Sequence, residues 1–315
     1  MKALLLSNVN MQPLAAFLKP WEAVSGEFNS ILLDLANPDS AANSEEFTHI
    51  LCLYDSDTMM GEAAYGDSDS GQCDSFLAAL ETFCAAHPGK IVAANTFCFG
   101  ATRWLNFADL LHPQSLRSTE YRLNDRLISI ARTYPNLLLV DIELIFRQHG
   151  EDALLSAPFW YLGRIRYTNQ MFRSLARTLH QAVDAWANRS RKVLVLDLDN
   201  TLWGGIVGET GPLGIALSED GEGRCYRDFQ RALKGLQRTG VLLTICSKNN
   251  LGDLDEVFDR NPMMILHSED FACIRANWQS KPENILDIAQ TLNLGIDSFV
   301  FIDDNPVERD MVATA

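Results

Sequence analysis

The sequence predicts an α/β protein made of two Rossmann-like, three-layer α/β/α domains, in which helices cover both faces of a parallel sheet. Two observations lead to this prediction. Short apolar runs that end in polar or acidic residues alternate with longer segments of helical periodicity, which is the βαβ order of a parallel sheet. At 315 residues the chain is also long enough to bury two separate hydrophobic cores.

The first half of the chain carries four apolar runs that predict strands and three amphipathic segments that predict helices. The runs are MKALLLSN, FTHILCLYD, GKIVAANTF and NLLLVDIE, and the helical segments are CDSFLAALETFCAAH, TEYRLNDRLISIARTYP and NQMFRSLARTLHQAVDAWANRS. The last helical pattern ends near Asn188 and is followed by the basic stretch RSRK, which places the domain junction there. The predicted domains are therefore residues 1–188 and 189–315.

The second half repeats the alternation. In order, the segments are a buried strand KVLVLDLD, a helix CYRDFQRALKGLQRTG that stops at Gly240, a strand VLLTICS, a helix LGDLDEVFDR, a short strand MMILH, a helix KPENILDIAQTLNL and a strand SFVFIDD. This order again predicts a parallel sheet with helices on both faces.

Composition excludes several classes of protein. No apolar run reaches the roughly 20 residues of a membrane span, and the apolar stretch at the N-terminus is too short for a signal peptide, so a cytoplasmic protein without membrane contact is expected. The seven cysteines are scattered and form no CxxC pair, which argues against disulfides and a zinc site. The net charge of -15 argues against a nucleic-acid partner. A small anionic substrate would need local cations or a metal.

Polar side chains follow three of the predicted strands in the second half. Asp197, Asp199, Ser247, Asp303 and Asp304 all fall at the carboxyl ends of strands, where ligands bind in open parallel sheets. Acidic groups that converge there would repel one another unless a divalent cation joined them, and hard oxygen ligands suit Mg²⁺. The four aspartates are therefore the predicted metal ligands. An isolated DxD is more often a helix cap or a turn.

The same residues can carry phosphoryl transfer. Asp197 can attack phosphorus as a nucleophile, while Asp199, placed on the same side of an extended strand, can protonate the leaving group and later activate water. Cations and polar groups nearby would hold phosphate oxygens. The predicted substrate-binding residues are Ser247, Lys248, Asn249, Lys281 and Arg275.

Four motifs in fixed order resemble the haloacid dehalogenase superfamily of phosphotransferases: VLDLDNT, TICS, Lys281 and FIDD. The resemblance implies that Asp197 is the nucleophile, that Asp199 is the acid/base and that Asp304 with Asp303 binds the metal. The segment between Asp199 and the next helix is long enough only for a small flap. Because the segment from Ser247 to Lys281 leaves no room for a large cap, the site is expected to be open to something large or covered by the first domain.

The residues in and around these motifs resemble the FkbH-like family of polyketide pathways over residues 192–310. The segments that carry the resemblance are LDLDNTLWGGIVGE, CSKNN, RANWQSKPENI and FIDDNPVERD. This resemblance implies a glyceryltransferase/phosphatase that dephosphorylates 1,3-bisphosphoglycerate and loads the acyl unit, through an enzyme cysteine, onto the phosphopantetheine thiol of an acyl carrier protein. Two alternatives stay open. One is an Mg²⁺-dependent phosphatase without acyl transfer, and the other is a carrier-docking scaffold with an inactive site.

Three cysteines are candidates for the acyl-carrying thiol. Cys273 is the preferred choice, because it lies eight residues before Lys281 in a stretch that resembles a loop, with Arg275 close enough to lower its pKa. Cys225 opens a helix, where the helix dipole would favour a thiolate. Cys246 lies inside an apolar strand and is expected to be an inert core thiol.

The first domain loosely resembles the SGNH-hydrolase fold that precedes the phosphatase-like domain in FkbH-like proteins, with Ser7 and Asn95 after two of its strands. A working esterase of that kind needs a late Asp-x-x-His pair to activate the serine. Neither His149 nor His180 follows an aspartate by three residues. The domain is therefore expected to be non-catalytic, and to cover the active site or dock the carrier.

Overall fold

The computed structural model describes residues 1–60, 70–100, 107–112, 115–187 and 191–315. The chain divides into two compact units, Met1–Asn188 and Arg189–Ala315. This division falls at the junction expected from the sequence.

The described residues of the first unit contain a five-stranded parallel sheet in the order β2-β1-β3-β4-β5. The strands are β1 Lys2–Ser7, β2 Glu22–Phe28, β3 His49–Cys52, β4 Ile91–Asn95 and β5 Leu137–Val140. The helices are α1 Ile31–Ala36, α2 Ser56–Met60, α3 Gly71–Ala86, α4 Phe107–Leu111, α5 Leu116–Thr133, α6 Ile142–His149, α7 Glu151–Leu154, α8 Ala157–Gly163 and α9 Asn169–Trp186. Short 3-10 helices span Gln12–Ala16 and Ala41–Asn43.

The strands of this sheet are apolar on both faces because a separate core covers each face. In β1, Leu4 and Leu6 belong to one cluster of buried side chains, which includes residues of α3 and α5. Ala3 and Leu5 point the other way, into a cluster that includes residues of α6 and α9. The first unit is therefore a three-layer α/β/α sandwich.

The second unit holds a four-stranded parallel sheet in the order β8-β7-β6-β9. The strands are β6 Val193–Leu196, β7 Leu242–Ser247, β8 Phe271–Ala276 and β9 Phe299–Ile302. The helices are α10 Val207–Thr210, α11 Glu222–Arg238, α12 Leu251–Arg260, α13 Lys281–Leu292 and α14 Pro306–Thr314, with 3-10 turns at Ser268–Asp270 and Ile296–Ser298. None of the helices in the described part of the chain has the length and apolar character needed to cross a bilayer.

Alternating residues of β6 again face two cores. Leu196 packs with side chains of α11 and α12 on one face, while Val193 and Val195 pack against α13 on the other. Between β6 and α11, Gly204 and Ala216 pair through two backbone hydrogen bonds of 3.1 and 2.8 Å. This short antiparallel bridge lies in the small flap segment expected from the sequence.

Two features of the sheets differ from the sequence prediction. The run MMILH is not a strand, because the backbone N–H groups of Ile265 and Leu266 donate to the side-chain oxygen of the buried Gln230 (2.9 and 3.2 Å) instead of to a neighbouring strand. The strand in this part of the chain is β8, which the sequence suggested was a loop. The sequence also did not indicate β2, whose residues are largely polar and exposed because it is an edge strand.

The prediction of an α/β fold with parallel sheets is confirmed. The finer assignments, an SGNH-like first domain and a haloacid dehalogenase-like second domain, stay predictions.

Candidate active site

Three neighbouring strands of the second unit deliver polar side chains to one edge of the sheet. Asp197 directly follows β6, Ser247 ends β7 and Asp303 directly follows β9. Because β6 lies between β7 and β9 and all three are parallel, their carboxyl ends meet. The backbone N–H of Asp197 donates to the carbonyl of Ile302 (3.0 Å), which fixes the end of β6 beside that of β9.

Lys281, the first residue of α13, is buried between two of these carboxylates. Its Nζ lies 2.9 Å from Oδ1 of Asp197 and also contacts Oδ2 of Asp303. All three side chains are nearly inaccessible to solvent, with exposed fractions of 5%, 9% and 0%. A buried charge is stable only when it is paired, so these three groups hold one another in place.

The electrostatics of this cluster are set by burial and by the lysine. Burial raises the pKa of Asp197, while the charge and hydrogen bond of Lys281 and a hydrogen bond from Ser247 oppose that rise. Burial alone would lower the pKa of Lys281, but Asp197 and Asp303 together raise it above its ordinary value. The lysine therefore stays charged and favours the anionic form of the neighbouring carboxylate.

A third carboxylate makes the cluster suitable for a divalent cation. Oxygen atoms of Asp197, Asp303 and Asp304 lie within 4.8 Å of one another. Asp304 is exposed, and its backbone N–H donates to the hydroxyl of Thr201 (3.2 Å). Lys281 can neutralise only one of the three carboxylates, and an all-oxygen donor set is what Mg²⁺ prefers. The residues present therefore fit a magnesium ion.

The side chain of Asp199 lies outside this carboxylate group, in contrast to its predicted role as a metal ligand. Its Oδ1 accepts hydrogen bonds from the indole of Trp203 (2.9 Å) and the backbone of Val207 (3.1 Å), and its Oδ2 accepts from Asn249 (2.9 Å). The physical reason is that β6 ends at Leu196, so Asp199 is not in extended strand and does not share a side with Asp197. Three donors fix it instead as a half-buried, well-oriented carboxylate.

The glycine-rich turn after Asp199 makes this orientation possible. Asn200 has a φ of 55° and Gly205 a φ of 89°, and the Asn200 side chain accepts from the Gly205 N–H (2.8 Å). At Gly204 an added Cβ would lie 2.8 Å from the ring of Tyr226. The turn therefore packs closely against the start of α11. Within it, Trp203 is fully buried.

The predicted phosphate-binding residues separate into two groups. Asn249 is buried and its side-chain amide donates to Asp199 (2.9 Å) and to the Ser247 hydroxyl (3.3 Å), so Ser247 and Asn249 both reach the site. Lys248 is half-exposed and pairs with Glu308 at 2.6 Å. Lys281 lies in the cluster itself.

Arg275 is placed away from the site, in contrast to its predicted role. It forms an ion pair with Asp287 and donates to Thr291 (3.0 Å), both on α13, and to the sulfur of Cys273 (3.1 Å). An arginine engaged along the side of a helix is not available to hold a phosphate at the end of the sheet.

The prediction that Cys273 lies in a loop is wrong. It is a buried residue of β8 and pairs with Thr244, three residues before Ser247, so it lies roughly 10 Å from the carboxyl edge. Burial raises the pKa of its thiol more than Arg275 lowers it. Its predicted catalytic role is therefore disfavoured, because a thiol must be accessible and deprotonated to act as a nucleophile.

The other two thiols differ sharply from each other. Cys246 is a fully buried core residue with its pKa raised by burial to about 12, which agrees with an inert thiol. Cys225 is exposed in the first turn of α11, and its Sγ contacts the carbonyl of Glu222 (2.9 Å). Burial, Cys225, Glu222 and Asp304 all raise the pKa of Tyr226. Cys225 lies exposed in the first turn of a helix that begins at Glu222.

Sequence reasoning missed several residues that shape the site. Thr201 supports the Asp304 backbone, and Arg309 donates to the carbonyls of Asp303 and Asp304 (2.6 and 2.8 Å). The sequence carried a signal for these two residues, since Thr201 lies inside the motif DxDNT and Arg309 inside DDNPVER. Trp278, in the turn before Lys281, is 72% exposed. Its indole N–H donates to Asn250 (3.1 Å) while the ring faces solvent.

The polar residues of the first unit that the resemblance to SGNH hydrolases singled out make hydrogen bonds and ring contacts within the fold. The Ser7 hydroxyl accepts from the N–H of Val9 (3.2 Å), and the Asn95 side chain is hydrogen-bonded to the backbone of Tyr54. His149 interacts with Ser174 (3.2 Å). The ring of His180 packs edge-on against Trp21.

A solved structure resembles this chain along its whole length. It is the crystal structure of the N-terminal part of the protein BF1531 from Bacteroides fragilis, which contains a phosphatase domain and is complexed with Mg. The TM-score is 0.90 and the sequence identity is 29%, over 100% of this chain and 86% of that one. The magnesium expected from the sequence agrees with the Mg of that complex.

Comparison with known protein families gives no match, and neither does comparison with curated proteins. The fold and the site together define an α/β protein whose parallel sheet carries a buried acidic cluster at its carboxyl edge. A particular protein that it resembles is BF1531, whose N-terminal part contains a phosphatase domain complexed with Mg.

Proposed function

We propose that this protein is an Mg²⁺-dependent phosphatase of the haloacid dehalogenase type, and more specifically a glyceryltransferase/phosphatase. The observation that carries the proposal is the buried cluster of Asp197, Lys281 and Asp303 with Asp304 at its exposed edge. The likeness of the chain to a protein whose structure contains a phosphatase domain complexed with Mg supports the assignment as an Mg²⁺-dependent phosphatase. The motif resemblance over residues 192–310 supports the more specific assignment as a glyceryltransferase/phosphatase.

The proposed phosphoryl transfer uses two aspartates. A carboxylate oxygen of Asp197 attacks phosphorus, so that an aspartyl-phosphate bond forms while the bond to the leaving oxygen breaks. Asp199, oriented by three hydrogen bonds, protonates that oxygen and then, as a base, activates the water that hydrolyses the aspartyl-phosphate. Lys281 and Ser247 hold phosphoryl oxygens. Bound Mg²⁺ would supply positive charge that offsets the phosphate and the three carboxylates.

Phosphate release tests this first part directly. We expect release of the C3 phosphate of 1,3-bisphosphoglycerate to require Mg²⁺, to stop in EDTA and to be lost in Asp197→Asn. Asp255→Asn, a change at an exposed position on α12, is the matched control and should behave as the wild type. Release that persists in Asp197→Asn would refute the role of this cluster and favour an inactive scaffold.

The rim of the site supports a large substrate such as a carrier protein. An exposed apolar side chain lies shortly after each of the four strands of this sheet: Ile206 after β6, Leu251 at the start of α12 after β7, Trp278 after β8 and Val307 in the first turn of α14 after β9. Their exposed fractions run from 43% to 72%. Exposed apolar residues arranged around a polar pocket are typical of interaction sites. The second unit contains no large cap between Ser247 and Lys281.

The acyl step needs a thiol. A thiolate attacks the C1 carbonyl of 1,3-bisphosphoglycerate, a carbon–sulfur bond forms, the bond to the C1 phosphate breaks and phosphate leaves. The C3 phosphoryl group goes to Asp197, and the carrier thiolate then displaces the enzyme sulfur. Since Cys273 is buried, we propose Cys225 for this role. Its exposure and its position in the first turn of α11 favour it.

Mass spectrometry of the enzyme after incubation with 1,3-bisphosphoglycerate separates the two candidate functions. The transferase predicts a glyceryl adduct on one cysteine, which Cys225→Ala abolishes and Cys273→Ala leaves in place. The reverse pattern would return the role to Cys273. Phosphate release without an adduct on any cysteine would leave a plain phosphatase, the second candidate.

A further inference from the structure

Helix α8 of the first unit turns its apolar side chains outward. Tyr161 and Leu162 are each 84% exposed and Phe159 is 55% exposed, and none of the residues of this helix is buried. Trp160 alone packs against the core beneath. Adjacent aromatic and aliphatic side chains that face solvent together mark an interaction site.

The helix is held rigidly despite its exposure. The Ser156 hydroxyl caps it by accepting from the Phe159 N–H (3.4 Å), and Arg164 ends it in a left-handed conformation. At that end Asn10 donates through its backbone to the Arg164 carbonyl (3.0 Å) and through its side chain to the Gly163 carbonyl (3.3 Å). A surface that is ordered before binding loses little entropy when a partner docks.

The segment of sequence that contains this helix is basic, unlike the chain as a whole. The net charge of the chain is -15, yet between Asp152 and Asp184 there is no acidic residue and there are four arginines: Arg164, Arg166, Arg173 and Arg177. Arg164 is exposed and lies 5.0 Å from the ring centroid of Trp160, and Arg173 is exposed over Phe17 (5.8 Å). Arg166 is half-buried and pairs with Asp55 and Asp57.

A concave surface adjoins the helix. A cavity of about 460 Å³ opens there, and the residues that line it include Trp160, Arg164, Phe28 and Asn8. Phe28 on its rim is 61% exposed. Interfaces commonly place one anchoring side chain of the partner in such a pocket, with an apolar contact beside it and charges at the rim.

We propose that the surface formed by Phe159, Tyr161, Leu162 and Arg164, the α8 surface, docks an acidic protein, and that this protein is the acyl carrier protein. The second statement rests on the proposed function. Carboxylates of the partner face Arg164 and Arg173, while its apolar side chains cover the exposed residues of α8. Exposed apolar side chains beside an exposed arginine favour a partner surface that offers both apolar groups and carboxylates, which is the surface of an acidic protein.

The test measures carrier binding and carrier loading separately, on the full chain. A fluorescently labelled acyl carrier protein bearing phosphopantetheine is titrated with the wild type, with Tyr161→Ser/Leu162→Ser and with Arg164→Glu. We expect each variant to raise Kd by at least about tenfold. Binding by the wild type should also weaken as salt rises. The matched controls are Leu236→Ser and Arg132→Glu, at exposed positions elsewhere, and should bind like the wild type.

Loading assays keep this inference distinct from the proposed function. The α8 variants should raise KM for the carrier and leave carrier-independent phosphate release unchanged. Carrier binding without loading would refute the proposed acyl transfer while the docking surface stands. Wild-type affinity in both α8 variants would overturn the docking surface, as would a wild type that binds no carrier. The α8 variants could instead keep carrier binding and lose self-association, binding to anionic vesicles or binding to a DNA duplex. Any of these results would also overturn the docking surface.

Discussion

Replacing Lys281 with methionine would leave two buried carboxylates without their shared counter-charge. The side chains of Asp197 and Asp303 are 9% and 0% exposed, and Lys281 contacts both. Methionine fills a similar volume but carries no charge. The variant therefore isolates the electrostatic contribution of the lysine from its packing.

The burial of the cluster sets the expected magnitude. Removing one partner of a buried ion pair destabilises a protein by about 3 to 5 kcal/mol, which is a change of roughly two to three and a half powers of ten in the unfolding equilibrium. Because burial already raises the pKa of Asp197, loss of the lysine should raise it further. A carboxyl group whose folded pKa lies above its unfolded value destabilises the fold at high pH, so the variant should regain stability as pH falls.

The thiol of Cys246 reports unfolding of the second unit. It is fully buried, with its sulfur 3.7 Å from the Lys281 carbonyl, so it is alkylated only after this region opens. Pulse alkylation across a urea series, read by mass spectrometry, gives the free energy of unfolding. Mg²⁺ at 100 times its Kd for the wild type would stabilise the wild type by about 2.7 kcal/mol. The same Mg²⁺ concentration should stabilise the variant more, because the lysine no longer competes with the ion.

Arg260→Met removes an exposed ion pair with Glu256 and serves as the control, with no measurable change expected. A loss of less than about 1 kcal/mol in Lys281→Met without Mg²⁺, the size expected of a surface pair, would refute the reasoning. It would mean that the two carboxylates do not depend on the lysine for charge compensation.

Three further predictions concern single side chains. Trp203→Phe keeps a buried ring but removes the donor to Asp199, so kcat for phosphate release should fall about tenfold at unchanged KM in steady-state assays; an unchanged kcat would show that this donor does not orient the acid. Iodoacetamide should modify Cys225 well before Cys273 in the native protein, because only the first thiol is exposed; peptide mass mapping gives the order, and equal rates would contradict it. A hydrogen bond from Arg122 lowers the pKa of Asp74 from 3.8 to about 2. The charged carboxylate of Asp74 therefore stabilises the fold above pH 3.8, and this contribution is lost as the pH falls from 3.8 to about 2. Asp74→Asn should therefore weaken the acid-induced loss of stability in this window, followed by circular dichroism, and an unchanged acid profile would speak against it.

The positions of the main site residues could be predicted because they depend on topology. Asp197, Ser247 and Asp303 each end a recognisable apolar strand, and parallel strands bring their carboxyl ends to one edge. Lys281 precedes a proline at the start of an amphipathic helix, which marks a helix terminus. Strand order was not needed for this prediction, since each strand carries its own polar residue.

The orientation of Asp199 could not be predicted from spacing. Side chains two residues apart in a strand lie on the same side of the sheet. However, β6 ends at Leu196 and the chain turns at Leu198, whose carbonyl accepts a hydrogen bond from the N–H of Leu202 (2.8 Å). The partners of Asp199 include Asn249, which is distant in sequence and reaches it through the fold. Such a contact leaves no periodic signal.

The error at Cys273 has a related cause. The stretch FACIRA has an arginine and small residues, so it lacks the apolar run of an internal strand, yet it pairs along one side with β7 as an edge strand. The preceding run MMILH has the stronger strand signal but hydrogen-bonds to the buried amide of Gln230. A single buried polar side chain, which no local pattern identifies, therefore decides which of the two segments joins the sheet.

The phosphorylated enzyme itself tests the central claim, that Asp197 carries the phosphoryl group at a magnesium-dependent site. The protein is mixed with 1,3-bisphosphoglycerate and Mg²⁺, quenched in acid within the first turnover and digested for peptide mass spectrometry. We predict a phosphoryl group on the peptide that contains Asp197, absent in EDTA and absent in Asp197→Asn. A phosphoryl group on another residue, or undiminished turnover by Asp197→Asn, would contradict the account.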